Sequence, residues 1–142
     1  MEPVEFLKTA ELLKAQSEQA HLRTSAGRSY YAAFLYFRER LKQIGLEKTK
    51  HPGRDAHAFV IQCLQFSDVK ECVQISQNLR DLQQVREDAD YHIEMPFSQN
   101  DADDAFLKAK KVIDDYKHII TSEKETALFE KASAYSKLKD WI

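Results

Sequence analysis

Three glycines and three prolines punctuate this chain, at Pro3, Gly27, Gly45, Pro52, Gly53 and Pro96. These are the residues that most readily end regular structure. The stretches between them are long, and their apolar residues recur every three or four positions. Between residues 69 and 93, one stripe holds Cys72, Ile75, Leu79, Leu82, Arg86, Ala89 and Ile93. Alternating steps of three and four trace one face of an α-helix. Tyr30, Phe34, Phe37, Leu41 and Ile44 repeat the pattern, with Tyr31 and Leu35 widening it. So do Ala102, Ala105, Phe106, Ala109, Val112, Ile113, Tyr116, Ile119 and Ile120. The prediction is an all-α bundle of about five to six helices, with Tyr30, Phe34, Phe37, Leu79, Leu82, Phe106, Val112 and Ile113 in its core.

The punctuation sets the boundaries. A first helix is expected over residues 3–19, with Pro3 in its first turn. A second covers 24–44 and stops before Gly45, a C-cap residue. Gly27, in its first turn, permits close approach of another helix. Residues 46–54 form a loop turned by Pro52 and Gly53. Asp55 caps a short third helix, and Ser67 or Asp68 caps the fourth, which Pro96 closes. Asn100 or Asp101 starts the fifth, acidic in its first turn as the helix dipole prefers. A sixth runs over about 125–141.

At 142 residues with 43% hydrophobic content, the chain can bury the core of one domain. Its net charge of -2, with 31% charged residues, argues against broad nonspecific nucleic-acid binding but leaves room for a local basic patch. Cys63 and Cys72 lie in apolar helical contexts and read as reduced core thiols. No Cys and His spacing suits a metal, so neither a metal nor another cofactor is expected. The chain shows no signal-peptide pattern and no run of 18 apolar residues. The expected location is cytoplasmic, with no membrane partner.

Arg86 is the one charged member of its apolar stripe. A cation there must find partners or face a wet cavity, because an unpaired buried charge costs several kcal/mol or more. His92 follows six residues later, near the same seam. A histidine can take or give a proton near neutrality, and an arginine can hold a phosphate. That pair suits RNA cleavage by the 2′-hydroxyl, which requires no metal. On one ideal helix the two side chains stand roughly 120° apart. The competing structural reading pairs Arg86 with Asp90 one turn on and leaves His92 to the helix dipole. If Arg86 is buried, Arg86→Ala should destabilise, since it strands Asp90; breaking a buried pair costs about 3–5 kcal/mol. A second candidate is Arg28 with Tyr30 and Tyr31, lining a site or packing helices. A third is the loop bearing Lys48, Lys50, His51 and Arg54, gripping a phosphate backbone or simply solvated.

The segment RSYYAAF at 28–34, followed by LQQVREDADYH at 82–92, resembles the HEPN domain family. It is most similar to the bacterial and archaeal branch with an arginine-tyrosine-tyrosine helix and an Arg-x-x-x-Ala-Asp-Tyr helix. The resemblance covers roughly residues 3–122. It implies an up-and-down helical bundle over 1–122 that usually dimerises, with 123–142 as a C-terminal helix packing on the same domain. In catalytic members an Arg-x(4–6)-His motif from each of two copies meets in a cleft and cuts RNA without metal. Arg86 and His92, with five residues between them, fit that motif. Arg28, Tyr31, Asp90, Tyr91, Lys50 and Arg54 are the expected substrate-binding residues. Many such members are toxins paired with a small nucleotidyltransferase antitoxin; others act in defence against phage.

Three functions remain open at this point. One is an RNA-binding protein, or a metal-independent endoribonuclease, of a toxin–antitoxin or defence system. Another is a non-catalytic module that binds a nucleotidyltransferase or other protein partner, which Glu87 and the acidic balance favour. The last is a helical adaptor with no nucleic-acid role.

Overall fold

The computed structural model describes residues 1–142 and contains six α-helices and no strand. They are α1 Glu5–Lys14, α2 Gln19–Gln43, α3 Ala56–Gln65, α4 Lys70–Tyr91, α5 Gln99–Ile119 and α6 Ser122–Leu138. The all-α class and the helix order follow the periodicity read from the sequence. The boundaries differ at several ends, with α1 stopping at Lys14 rather than near 19 and α2 starting at Gln19 rather than near 24. Asp55 stands at the N-cap of α3, but its side chain makes no capping bond: it sits at φ 58°, and its Oδ2 accepts from Trp141 Nε1 at 3.2 Å. Helix α5 begins earlier than expected, because Ser98 and Asp101 form a reciprocal capping box. Ser98 Oγ accepts from the Asp101 amide at 3.1 Å, and Asp101 Oδ2 accepts from the Ser98 amide at 2.8 Å. Helix α6 also starts early, capped by Thr121, whose hydroxyl accepts from the Lys124 amide. Helix α4 ends at Tyr91, well before Pro96.

The chain forms two compact units, and α2, α4 and α5 each supply residues to both. The first contains 1–36 and 78–113. Its core holds Leu7, Leu22, Tyr30, Phe34, Leu79, Leu82, Val112 and Ile113, with Ala10, Ala26, Ala102 and Ala109 where side chains must be small. Each large side chain buried in this way contributes about 1.5–3 kcal/mol. Phe106 departs from expectation. It is half-buried, at the edge of the core, with Lys14 Nζ 5.1 Å from its ring centre.

The second unit contains 37–77 and 114–142. Here α6 packs on α3. Trp141, 3% exposed, meets the Phe59 ring edge-on, Tyr135 stacks on Phe66, and the Tyr135 hydroxyl donates to Gln62 at 2.5 Å. The Trp141 carbonyl accepts from the Thr49 and Lys50 amides, tying the 46–54 loop down. Gly45, at φ 99°, closes α2 with the Leu46 amide bonded back to the Leu41 carbonyl at 2.8 Å, a Schellman end. Cys63 and Cys72 are both buried and unpaired. Burial pushes their thiols up to about 11 and about 12, so both stay protonated and unreactive near neutral pH.

Candidate functional site

In the first unit Arg86 emerges beside Gly27 of α2. A methyl group added to Gly27 would meet Arg86 Cγ at 4.0 Å, an ordinary contact. Close helix approach therefore does not require glycine at this position, contrary to expectation. The Arg86 side chain is 21% exposed and leans on two rings, with its guanidinium 5.4 Å from the centre of Tyr31 and 5.9 Å from that of Tyr91. Its Nε lies 2.9 Å from Asp90 Oδ2. That contact is an ion pair out of line for a hydrogen bond, because the buried Nε has no properly directed acceptor. Asp90 itself is 38% exposed, so the pair is half in water.

A second cation shares the Tyr31 ring. The Arg28 guanidinium sits 5.3 Å from its centre and 4.8 Å from that of Phe6. Arg28 Nε is also buried without a hydrogen-bond partner. Rings attract guanidinium ions by about 0.5–2 kcal/mol, but they do not neutralise them. Two guanidinium groups thus flank one tyrosine, with Asp90 as the only carboxylate in an ion pair with either. Tyr30 lies at 0% exposure beneath them. Burial, helped by Tyr31, raises its hydroxyl well above the ordinary range; Arg86 acts in the opposite direction. The Tyr30 phenol therefore stays neutral and cannot act as the missing anion.

His92 is the first residue past α4. Its imidazole is half-exposed, with Nε2 3.9 Å from Asp88 and Nδ1 3.6 Å from Glu94. It lines a groove of about 390 Å³ with Arg23, Val85, Met95, Phe97 and Asp104 among others, and Arg86 is not part of that lining. The structure brings Arg86, Arg28, Tyr31, Asp90 and Tyr91 together. It does not bring His92 to them within one chain.

Lys50 and Arg54 belong to the second unit. Lys50 Nζ is held by Asp140 at 2.9 Å, and His51 Nε2 meets the same carboxylate at 3.0 Å. Lys48 Nζ donates to the Lys50 and His51 carbonyls. The loop cations thus mostly brace the loop, leaving Arg54 at the rim of a pocket of about 320 Å³. No three His, Cys, Asp or Glu side chains cluster in a metal-holding arrangement. No helix is long and apolar enough to cross a membrane.

Arg23 is the residue that sequence reading missed. Its Nη1 donates to the carbonyls of Asp88 at 3.4 Å, Ala89 at 3.0 Å and His92 at 3.2 Å, and its Nη2 donates to that of Met95. Its guanidinium also faces the Phe97 ring. The last turn of α4 carries no basic residue of its own, so Arg23 supplies the cation a helix C-terminus favours. The partners lie 65 to 72 residues apart, beyond any local pattern.

The HEPN domain model matches residues 4–119 of the chain, a span that includes the motif-bearing helices α2 and α4. The chain belongs to the HEPN domain family. Helix α6 lies beyond the matched span, whereas Arg28, Arg86 and His92 all fall inside it. Neither curated proteins nor solved structures provide a match.

Proposed function

We propose that this HEPN protein binds RNA through Arg28 and Arg86 and cleaves it without a metal, acting in the cytoplasm within a toxin–antitoxin or defence system. The observation that carries the reading is the pair of guanidinium groups on the Tyr31 ring, two cations with one half-exposed carboxylate between them. A phosphate diester supplies the anion that the cluster lacks, and charge-assisted bonds from guanidinium to phosphate are among the strongest in proteins. His92 is the proton-transfer group. It removes the proton of the 2′-hydroxyl as that oxygen attacks the adjacent phosphorus. The bond to the 5′-oxygen breaks, and that oxygen takes a proton. The products are a cyclic phosphate and a 5′-hydroxyl end.

His92 and Arg86 do not share a cavity in one chain, so the reading requires a homodimer in which His92 of one copy approaches Arg86 of the other. Tyr91, Ile93 and Met95 are 68%, 77% and 53% exposed, an apolar edge suited to such a two-fold contact. The deciding experiment is RNA cleavage by purified protein. Wild type should cut with EDTA present. His92→Ala should lose at least about 100-fold in rate while keeping its fold. Metal-dependent cutting, or full activity in His92→Ala, sinks the mechanism.

One set of observations favours a second reading. Asp90 holds Arg86, and Asp88 and Glu94 flank His92. These carboxylates suit a module that docks a basic face of a protein partner, such as a small nucleotidyltransferase. Failure to cut any RNA, together with tight binding of such a partner, would select it.

A further inference from the structure

Helix α4 ends at Tyr91, and the chain then turns through residues 92–98 before α5. Four carbonyls around that turn, those of Asp88, Ala89, His92 and Met95, all point at one side chain. Arg23, on α2, donates to every one of them. A neighbouring α2 residue extends the clamp, with Gln19 Nε2 donating to the Phe97 carbonyl at 2.6 Å. Gln19 Oε1 in turn accepts from Arg23 Nε at 3.3 Å. Within the turn itself the only backbone bonds are from the His92 amide to Asp88 and from the Met95 amide to His92. The turn therefore has little rigidity of its own.

We infer that Arg23 is the positioning residue of His92. Its planar fork holds the chain at Asp88 and Ala89 before the histidine, at His92 itself and at Met95 after it, so the half-exposed imidazole projects from a rigid stub into the groove that Arg23 also lines. The reason for arginine is geometric. A lysine could satisfy the helix dipole as a point charge, but it cannot hold a fork of carbonyls on two sides at once. The catalytic part of this role rests on the reading of His92 as the proton-transfer group. The holding of His92 in one orientation does not.

The test uses the full chain with Arg23→Gln and Arg23→Lys, and reads three quantities below the melting temperature. The first is the NMR signal of the His92 imidazole, which should be single and sharp in wild type. In Arg23→Gln it should broaden or move toward its unstructured position. The second is hydrogen exchange of the Met95 amide, which should speed up at least about 10-fold, while amides in α3 stay protected. The third is single-turnover RNA cleavage, where the rate should fall about 100-fold with little change in RNA affinity. Arg23→Lys should recover most of the melting temperature but not the imidazole signal or the rate. It carries the test if Arg23→Gln does not fold. A variant with a lower melting temperature but an unchanged His92 signal and unchanged Met95 exchange overturns the inference and leaves Arg23 a plain structural clamp. A wild type that cuts no RNA defeats the proposed reaction, while the two NMR readings still decide whether Arg23 orients His92.

Discussion

Two arginines, one in each compact unit, meet carboxylates in opposite ways. In the second unit, Arg40 makes a two-pronged contact with Glu125, from Nε at 2.8 Å and Nη2 at 2.6 Å. The Tyr116 hydroxyl donates to the same carboxylate at 2.7 Å. Burial works to raise the Glu125 carboxyl, but its bonds to Arg40 and Tyr116 outweigh it and hold the group below the ordinary range. Every polar atom of that trio is used. In the first unit, Arg86 has one misaligned contact with Asp90, and Arg28 adds a second cation with no carboxylate. A matched network is what a fold uses to hold itself together. An unmatched one persists only if something else compensates, and strained or underpaired charges concentrate at functional sites.

The largest expected effect breaks the comparison on the functional side. If Arg28 and Arg86 hold phosphate, Arg86→Lys should lose most cleavage, about 100-fold or more, because an ammonium cannot make a two-pronged phosphate contact. Arg28→Ala should weaken RNA retention and reduce its salt dependence by roughly one phosphate contact. Arg40→Lys should leave RNA retention unchanged. Equal losses from Arg40→Lys and Arg86→Lys would erase the distinction between the two regions.

How much of this was legible in the sequence follows from what each feature depends on. The helices were legible because Cys72, Ile75, Leu79 and Leu82 are spaced by the helix itself. The Arg86–Asp90 pair was legible for the same reason, one turn being a local distance. Phe106 misled because periodicity places a residue on a face without saying how far the covering elements reach. The early start of α5 is encoded in the Ser98-x-x-Asp101 spacing, which sets the cap ahead of the acidic first turn. The Arg28–Tyr31–Arg86 cluster and the Arg23 clamp could not be read from spacing. Each joins α2 to the end of α4, and only tertiary packing brings those segments together.

The next effect concerns stability in the second unit. Glu125→Gln should cost about 2 kcal/mol, since it leaves Arg40 without its anion and weakens the Tyr116 bond. The cost should depend on pH. A carboxyl depressed by folding contributes stability above the ordinary carboxylate value of about 4.3, and that contribution is lost as pH falls through the lower folded value. Urea titrations should therefore show wild type and Glu125→Gln differing at pH 7 and converging toward pH 3. A gap that stays constant with pH would mean that the lost stability is packing rather than charge.

Arg86→Ala should cost less. The value of about 3–5 kcal/mol for a buried pair does not apply, because Asp90 is 38% exposed and keeps its water when Arg86 is removed. Half-exposed pairs contribute about 0–1 kcal/mol, and relief of the repulsion from Arg28 offsets part of that. Urea unfolding should thus put Arg86→Ala within about 1 kcal/mol of wild type, well inside the Glu125→Gln loss. A larger cost would make Arg86 a structural residue first.

Two glycines sharpen the same contrast. Gly45 has φ 99°, and a methyl group there would approach Phe129 Cε2 to 3.0 Å. Gly45→Ala should cost about 1–2 kcal/mol for the left-handed backbone alone. Gly27 sits inside α2 with helical dihedrals, and the methyl would meet only Arg86 Cγ at 4.0 Å. Alanine in a helix interior is favoured over glycine by about 0.5–1 kcal/mol, so Gly27→Ala should raise the melting temperature. The second unit's glycine is thus required by its backbone, while the first unit's glycine leaves stability unclaimed beside Arg86. A stabilised Gly27→Ala would show that this stretch of α2 is not optimised for stability. A destabilised one would mean that the Arg86 stem needs the space, and that the cluster is packed more tightly than its unmatched charges suggest.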